Sequence, residues 1–263
     1  MVTSNRKGSE VPISFNFSGQ TALVTGGYSG LGRTLAFAFA EAGANVAIVG
    51  RDPARTREMQ DELSKLGCNA LGVVADVRKP DEVKAAVATV MSRFGKIEVL
   101  VNSAGVFRSA PALKTSDEEW SDILATNLNG TFTFCREVGG HMVEAKYGRI
   151  VNITSTDAFT AIPEEVAYCA SKSAVVAMTQ VMAIEWIKSG VNVNAVAPCD
   201  FDTPMLAPAM ADPATANWII NALPVGRIGR PEEIIPAVLY LASPEAEMIV
   251  GHTLTIDGGR RVV

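Results

Sequence analysis

The chain has 263 residues, 48% of them hydrophobic and 19% charged, with a net charge of −5. That length and apolar content fit one sizeable folded α/β domain and exclude a disordered chain. The acidic balance, without a basic block, argues against nucleic acid and acidic membrane surfaces as partners.

The first ten residues carry Arg6 and Lys7 but no apolar stretch behind them, so they do not read as a secretory signal. Residues 1–16 read as a loose polar arm. No apolar run approaches the roughly 18–20 residues of a membrane helix, so no membrane association is expected. The cysteines, Cys68, Cys135, Cys169 and Cys199, form no CxxC pair, and His141 and His252 stand alone. A metal site and a disulfide framework are therefore not expected, and a reducing cytoplasm fits.

Val/Ile/Leu-rich runs at 21–25, 46–49, 72–75, 99–102, 150–154, 191–197 and 253–256 read as strands covered on both faces. Helical stretches lie between them at 31–41, 56–66, 82–93, 117–144 and 165–188, and Pro231 opens another. Strict alternation gives βαβ units, a parallel sheet of about seven strands and a doubly wound Rossmann-type α/β fold. No linker divides residues 17–263, which read as one dinucleotide-binding catalytic domain. The strandless segment 200–251 is the place for a substrate lid, around 200–222.

The first strand runs into Thr25-Gly26-Gly27-Tyr28-Ser29-Gly30-Leu31-Gly32, and a helix follows at once. Free N–H groups and the positive dipole end at such a helix start suit a pyrophosphate. The second strand ends Val49-Gly50-Arg51-Asp52. In dinucleotide folds this end faces the adenosine ribose. Gly50 leaves no carboxylate for the 2′-hydroxyl, and Arg51 offers a guanidinium to a 2′-phosphate, which favours NADP over NAD. Asp52 pulls towards NAD.

Tyr168 and Lys172 lie four residues apart, on one face of the helix over 165–188. A nearby ammonium lowers a phenol's pKa from its usual ~10 and makes it a usable acid/base. Ser155 follows the strand at 150–154, at the sheet end where open α/β folds bind ligands. Its hydroxyl can donate to a substrate oxygen and stabilise developing charge.

With these motifs on the page, the chain from about Phe17 to Val262 resembles the short-chain dehydrogenase/reductase family. The resemblance covers the glycine loop at 25–32, Asp76-Val77 after the third strand, Asn102-Ser103-Ala104-Gly105, Thr126-Asn127-Leu128, the set Ser155, Tyr168 and Lys172, and Asp257-Gly258-Gly259. It implies a nicotinamide-dependent oxidoreductase. Tyr168 would exchange the proton of the substrate oxygen and Ser155 would polarise that oxygen. Lys172 would lower the Tyr168 pKa and hold the nicotinamide ribose, and Asn127 would anchor a water leading from Lys172 to solvent. The cofactor would lie against Gly26, Tyr28, Ser29, Gly30, Leu31, Gly32, Arg51, Asp76, Val77, Asn102, Ala104, Gly105, Tyr168, Lys172, Pro198, Phe201 and Thr203. The substrate would meet Ser155, Asp157 and Tyr168, with Phe107, Phe159 and a lid carrying Met205, Leu206, Met210, Trp218 and Ile219. Three positions depart from the family pattern. Ser103 replaces an Asn, Cys199 replaces the glycine usual after Pro198, and Pro236 falls where it would kink the helix opened by Pro231.

Between Asp200 and Arg227 there is no Lys or Arg, and Arg108 is the one obvious cation near the pocket. That points to a small uncharged substrate, a polyol, sugar lactone or hydroxy-ketone, with an apolar ketone or sterol close behind. A 3-oxoacyl-thioester reductase and a non-catalytic dinucleotide sensor remain as alternatives. The helix at 168–188 carries more apolar surface than one sheet face can cover. With the assembly habits of the family, this predicts a homotetramer, or failing that a homodimer.

Overall fold

The computed structural model describes residues 14–262. The loose arm expected over 1–16 falls outside the described residues up to position 13. Seven strands form one parallel sheet: β1 (Thr21–Thr25), β2 (Asn45–Gly50), β3 (Ala70–Val74), β4 (Val99–Asn102), β5 (Gly148–Ile153), β6 (Val191–Pro198) and β7 (Thr253–Ile256). Their spatial order is β3-β2-β1-β4-β5-β6-β7. The order reverses between β1 and β4, and a crevice opens there at the carboxyl ends of the strands.

Helices cover both faces. On one side pack α1 (Gly30–Glu41), α2 (Pro53–Lys65) and a later helix at Ile235–Ala242, through Leu35, Phe39, Met59, Leu63 and Val238. On the other pack α3 (Pro80–Phe94), α5 (Gly130–Ala145) and α6 (Val166–Trp186), through Val83, Val90, Phe134, Val138 and Met182. The fully buried strands explain their unbroken apolar runs. Two short helices, α7 (Ala207–Met210) and α8 (Pro213–Asn221), occupy the segment expected as a lid, and the helix at Ile235–Ala242 is α9.

Three elements differ from expectation. The third strand, expected at 72–75, begins two residues earlier and ends one earlier, at Ala70–Val74. The single helix expected at 117–144 is α4 (Asp117–Leu124), one π-helical stretch at Ala125–Asn129, then α5. Pro231 opens only a 3₁₀ turn, Pro231–Ile234, and Pro236 falls in the first turn of α9. Proline suits such a first-turn position, where the N–H lacks a partner within the α-helix.

Candidate active site

The site grows from four strand ends. At the end of β1, Gly26 has φ +67°, and a Cβ on it would stand 2.9 Å from the Ala104 backbone. Only glycine lets the β1 and β4 loops close so tightly. Thr25 reinforces the closure: its hydroxyl accepts the Ser103 and Ala104 amides, both at 3.1 Å. The chain then turns into α1. Ser29 stands at its N-cap without a side-chain cap, so the first-turn amides face the crevice.

These groups border a cavity of about 840 Å³, lined among others by Gly26, Tyr28, Ser29, Gly30, Leu31, Val77, Ala104 and Gly105. A glycine-bounded cradle at a helix start fits the diphosphate of a nicotinamide dinucleotide. Some expected cofactor residues do not line it. Gly32 packs the turn, since a Cβ there would meet the Gly26 carbonyl at 2.5 Å. Asn102 is buried and donates to Asn152 at 2.9 Å. Asp76 is held by Arg78, whose guanidinium keeps that carboxyl below its usual pKa.

At the end of β2, the Tyr28 ring fills the space beside Gly50, and any side chain at Gly50 would run into it. Arg55 stacks over the same ring, 4.5 Å from its centroid. Arg51 and Arg55 both line the cavity. Asp52 is turned away from it, capping α2 by accepting the Ala54 and Arg55 amides at 2.9 and 3.1 Å. The carboxylate that pulled towards NAD is thereby engaged elsewhere. Arg55 was missed in the sequence, although it lies one helical turn beyond Arg51.

At the end of β5, Ser155 and Thr156 enter the cavity, with Tyr168 and Lys172 reaching it from α6. Tyr168 and Lys172 are both more than nine-tenths buried. Phe107 packs edge-on against the Tyr168 ring at 5.1 Å. Lys172 Nζ lies 5.6 Å from that ring's centroid and donates to the Ile153 carbonyl at 3.0 Å. Ser155 Oγ donates to Asp157 Oδ2 at 2.8 Å and accepts the Asp157 amide at 3.1 Å.

Burial, then the Asp157 carboxylate, holds the Tyr168 phenol above its usual pKa, and Ser155 works against them. The lowering expected from Lys172 is not what governs the phenol in this structure. Burial brings the Lys172 ammonium itself down to about 8, with Asp157 opposing.

Asn127 lies in the π-helical stretch and does not line the cavity. Its amide accepts the Val106 N–H at 2.8 Å and donates to the Val106 carbonyl at 2.9 Å and to Ser171 Oγ at 3.1 Å. The side chain thus ties the loop after β4 to the turn of α6 that carries Lys172. Its backbone carbonyl accepts from Thr131 Oγ1 at 2.8 Å.

At the end of β6, Pro198, Cys199, Asp200, Phe201 and Thr203 border the cavity, and Met205, Leu206, Trp218 and Ile219 form the lid side. Met210 and Phe159 do not reach it, and Arg261 covers the Phe159 ring at 4.0 Å. Burial pushes the Cys199 thiol up to about 12, with Asp200 and Asp257 adding to it. Arg108 is paired with Asp122 at 3.2 Å, outside the cavity. The arginine on the lid side of the cavity is instead Arg260, ion-paired to Asp200. Arg260 lies four residues past the end of β7, after Asp257-Gly258-Gly259, at the ligand-facing end of a parallel strand, and that position was the signal available in the sequence. Among the described residues no group of three or more His, Cys, Asp or Glu could hold a metal.

A doubly wound sheet with a glycine cradle at its switch point, joined to a buried Ser–Tyr–Lys set, defines a nicotinamide-dependent oxidoreductase. Residues 26–261 match a family profile described as Enoyl-(Acyl carrier protein) reductase. D-threitol dehydrogenase of Mycolicibacterium smegmatis is 41% identical over 249 residues, 95% of each chain. The 3-oxoacyl-[acyl-carrier-protein] reductase of Chlamydia muridarum is 36% identical over 91% of this chain and 96% of its own. The crystal structure of a gluconate 5-dehydrogenase from Burkholderia cenocepacia, in complex with NADP and tartrate, superposes with a TM-score of 0.92 at 34% identity, covering 95% of this chain and 98% of that one. The chain belongs to the short-chain dehydrogenase/reductase family and is an oxidoreductase that uses NAD(P) and a small alcohol/carbonyl pair.

Proposed function

We propose that the protein is an NADP-preferring dehydrogenase of polyols or related sugars, with Tyr168 as its acid/base. The observation that carries this reading is the placement of Tyr168 and Ser155 on one cavity, with the glycine cradle at one end and a polar wall at the other. The bound cofactor supplies or accepts the hydride. Tyr168 takes the alcohol proton in oxidation and returns it in reduction. Ser155 steadies the same oxygen. Lys172 has one hydrogen bond, to Ile153, and an ammonium has three donors, so two remain for ribose hydroxyls. Asn127 is a positioning residue through Val106 and Ser171.

The D-threitol dehydrogenase among the relatives supports the substrate class. The thioester reductase among the relatives supports a second reading. Against it, the cation on the substrate side of the cavity, Arg260, is already paired with Asp200 and is not free for a phosphopantetheine or CoA phosphate.

We further infer a cytoplasmic homotetramer with one catalytic domain over 17–263 and a lid around 200–222. Four free cysteines support the compartment, and two apolar surface patches support the assembly.

The test is a screen of alcohols and ketones, each with NAD(H) and NADP(H), followed at the nicotinamide absorbance. Polyols with NADP should rank first. In that assay Tyr168→Phe should lower kcat at least ~10²-fold, the low end for general acid–base catalysis, with cofactor binding kept. Near-wild-type turnover by Tyr168→Phe removes the residue from its role.

A further inference from the structure

The substrate half of the cavity carries an unusual charge set. Asp157, Glu164, Glu165 and Asp200 line it, against Arg260 and, at the junction with the dinucleotide half, Lys172. For the acid/base step this set is a liability, because Asp157, Glu165 and Asp200 all oppose ionisation of Tyr168.

Arg260 is the group that a carboxylated substrate would seek. It is sandwiched instead: Asp200 takes its guanidinium in an ion pair, with side chains 9% and 19% exposed, and the Trp218 ring of the lid lies 5.9 Å from it. Burial, more than any charge, holds the Glu165 carboxyl up at about 7, with Asp157 and Asp200 adding to it. Near neutral pH this carboxyl can therefore accept or donate a hydrogen bond.

We propose that Asp200 sets the charge selectivity of the enzyme: by neutralising Arg260 it leaves a carboxylate-rich wall that binds the hydroxyls of uncharged polyols and turns away sugar acids. This rests on the polyol reading above and narrows it. Carboxylates are strong acceptors for hydroxyl donors, and each unmatched like charge in a partly desolvated pocket weakens an anion. Asp200→Asn keeps the shape, removes one negative charge and frees the Arg260 guanidinium to meet a substrate carboxylate.

The experiment compares kcat/KM for D-glucitol and D-gluconate, and for xylitol and xylonate, at one pH and in low and high salt. The wild type should favour the uncharged member of each pair at least tenfold, and salt should narrow the gap by screening. Asp200→Asn should close it at least tenfold, chiefly through a lower KM for the aldonate. Glu165→Gln, which removes a carboxyl without freeing an arginine, should close it less, and it remains a readout if Asp200→Asn does not fold. Equal use of both members by the wild type overturns the selectivity alone. So does a ratio unmoved within threefold in Asp200→Asn or, where that variant does not fold, in Glu165→Gln. Turnover of neither member of either pair, while other ketones are reduced, overturns the polyol reading and this inference with it.

Discussion

Asp157 sits two residues beyond Ser155 and acts on two groups at once. It accepts the Ser155 hydroxyl, and after burial it is the largest influence raising the Tyr168 pKa. The sign of the resulting pH dependence follows. Alcohol oxidation needs the phenolate, whose fraction grows with pH, so oxidation should still be climbing at pH ~10, the ordinary tyrosine value. Carbonyl reduction needs the phenol and should be at its plateau through the neutral range. Asp157→Asn removes a charge that opposes phenolate, so its oxidation limb should move to lower pH. The measurement is kcat/KM for oxidation against pH in both enzymes. A limb that stays or moves upward would sink the assignment. The sequence made Ser155, Tyr168 and Lys172 legible because their spacing and strand-end position carry the chemistry directly. It could not reveal that burial outweighs Lys172 at the phenol, because desolvation depends on what the fold packs around the ring, such as Phe107 edge-on against it. Nor could it pair Asp200 with Arg260, which are brought together only by the ends of β6 and β7.

At the scale of elements, strand and helix order could be read from apolar runs, because strands covered on both faces need no alternation. The π-helical stretch could not. Ala125-Thr126-Asn127-Leu128-Asn129 has no residue that demands a wider turn, and the slip is fixed by what Asn127 must reach on the β4 loop and on α6. The β2–α2 junction shows how neighbouring elements can set cofactor choice. Tyr28 from the glycine loop occupies the space beside Gly50, Asp52 is consumed as the cap of α2, and Arg51 and Arg55 are left on the cavity. A charge-assisted hydrogen bond contributes roughly 1.5–3 kcal/mol, and ~1.4 kcal/mol is a decade. Arg51→Ala and Arg55→Ala should therefore each lower the ratio of kcat/KM for NADP over NAD about tenfold, and the double variant should lower it further. The cofactor ratio is the readout, because a general loss of activity would leave it unchanged. A wild type that already prefers NAD, or a ratio unmoved in both variants, refutes the assignment.

At the scale of the whole molecule, two groups of exposed apolar side chains among the described residues bear on assembly. On one side of the sheet, α6 exposes Val181 and Ile184, at 57% and 75%, and α5 exposes Phe132. At the sheet edge, beside β7, Met248, Val250 and Tyr240 of α9 are exposed, Met248 almost completely. Patches of this kind mark association surfaces, and an edge strand such as β7 offers unpaired backbone groups as well. Each patch paired with its own copy across a two-fold axis is a closed contact, and two such contacts on different faces generate a tetramer with dihedral symmetry. Light scattering at micromolar concentration should therefore give four times the 27.8 kDa chain mass. Ile184→Glu buries a charge in one contact only and should yield dimers held by the β7 edge. Met248→Glu should yield dimers held by α5 and α6, and the two changes together should give monomers. The charged side chains sit in solvent once the chains separate, so the variants should stay folded by circular dichroism. A wild-type monomer contradicts both contacts, and a tetramer that survives Ile184→Glu removes α6 from the assembly while leaving the edge contact to be judged by Met248→Glu.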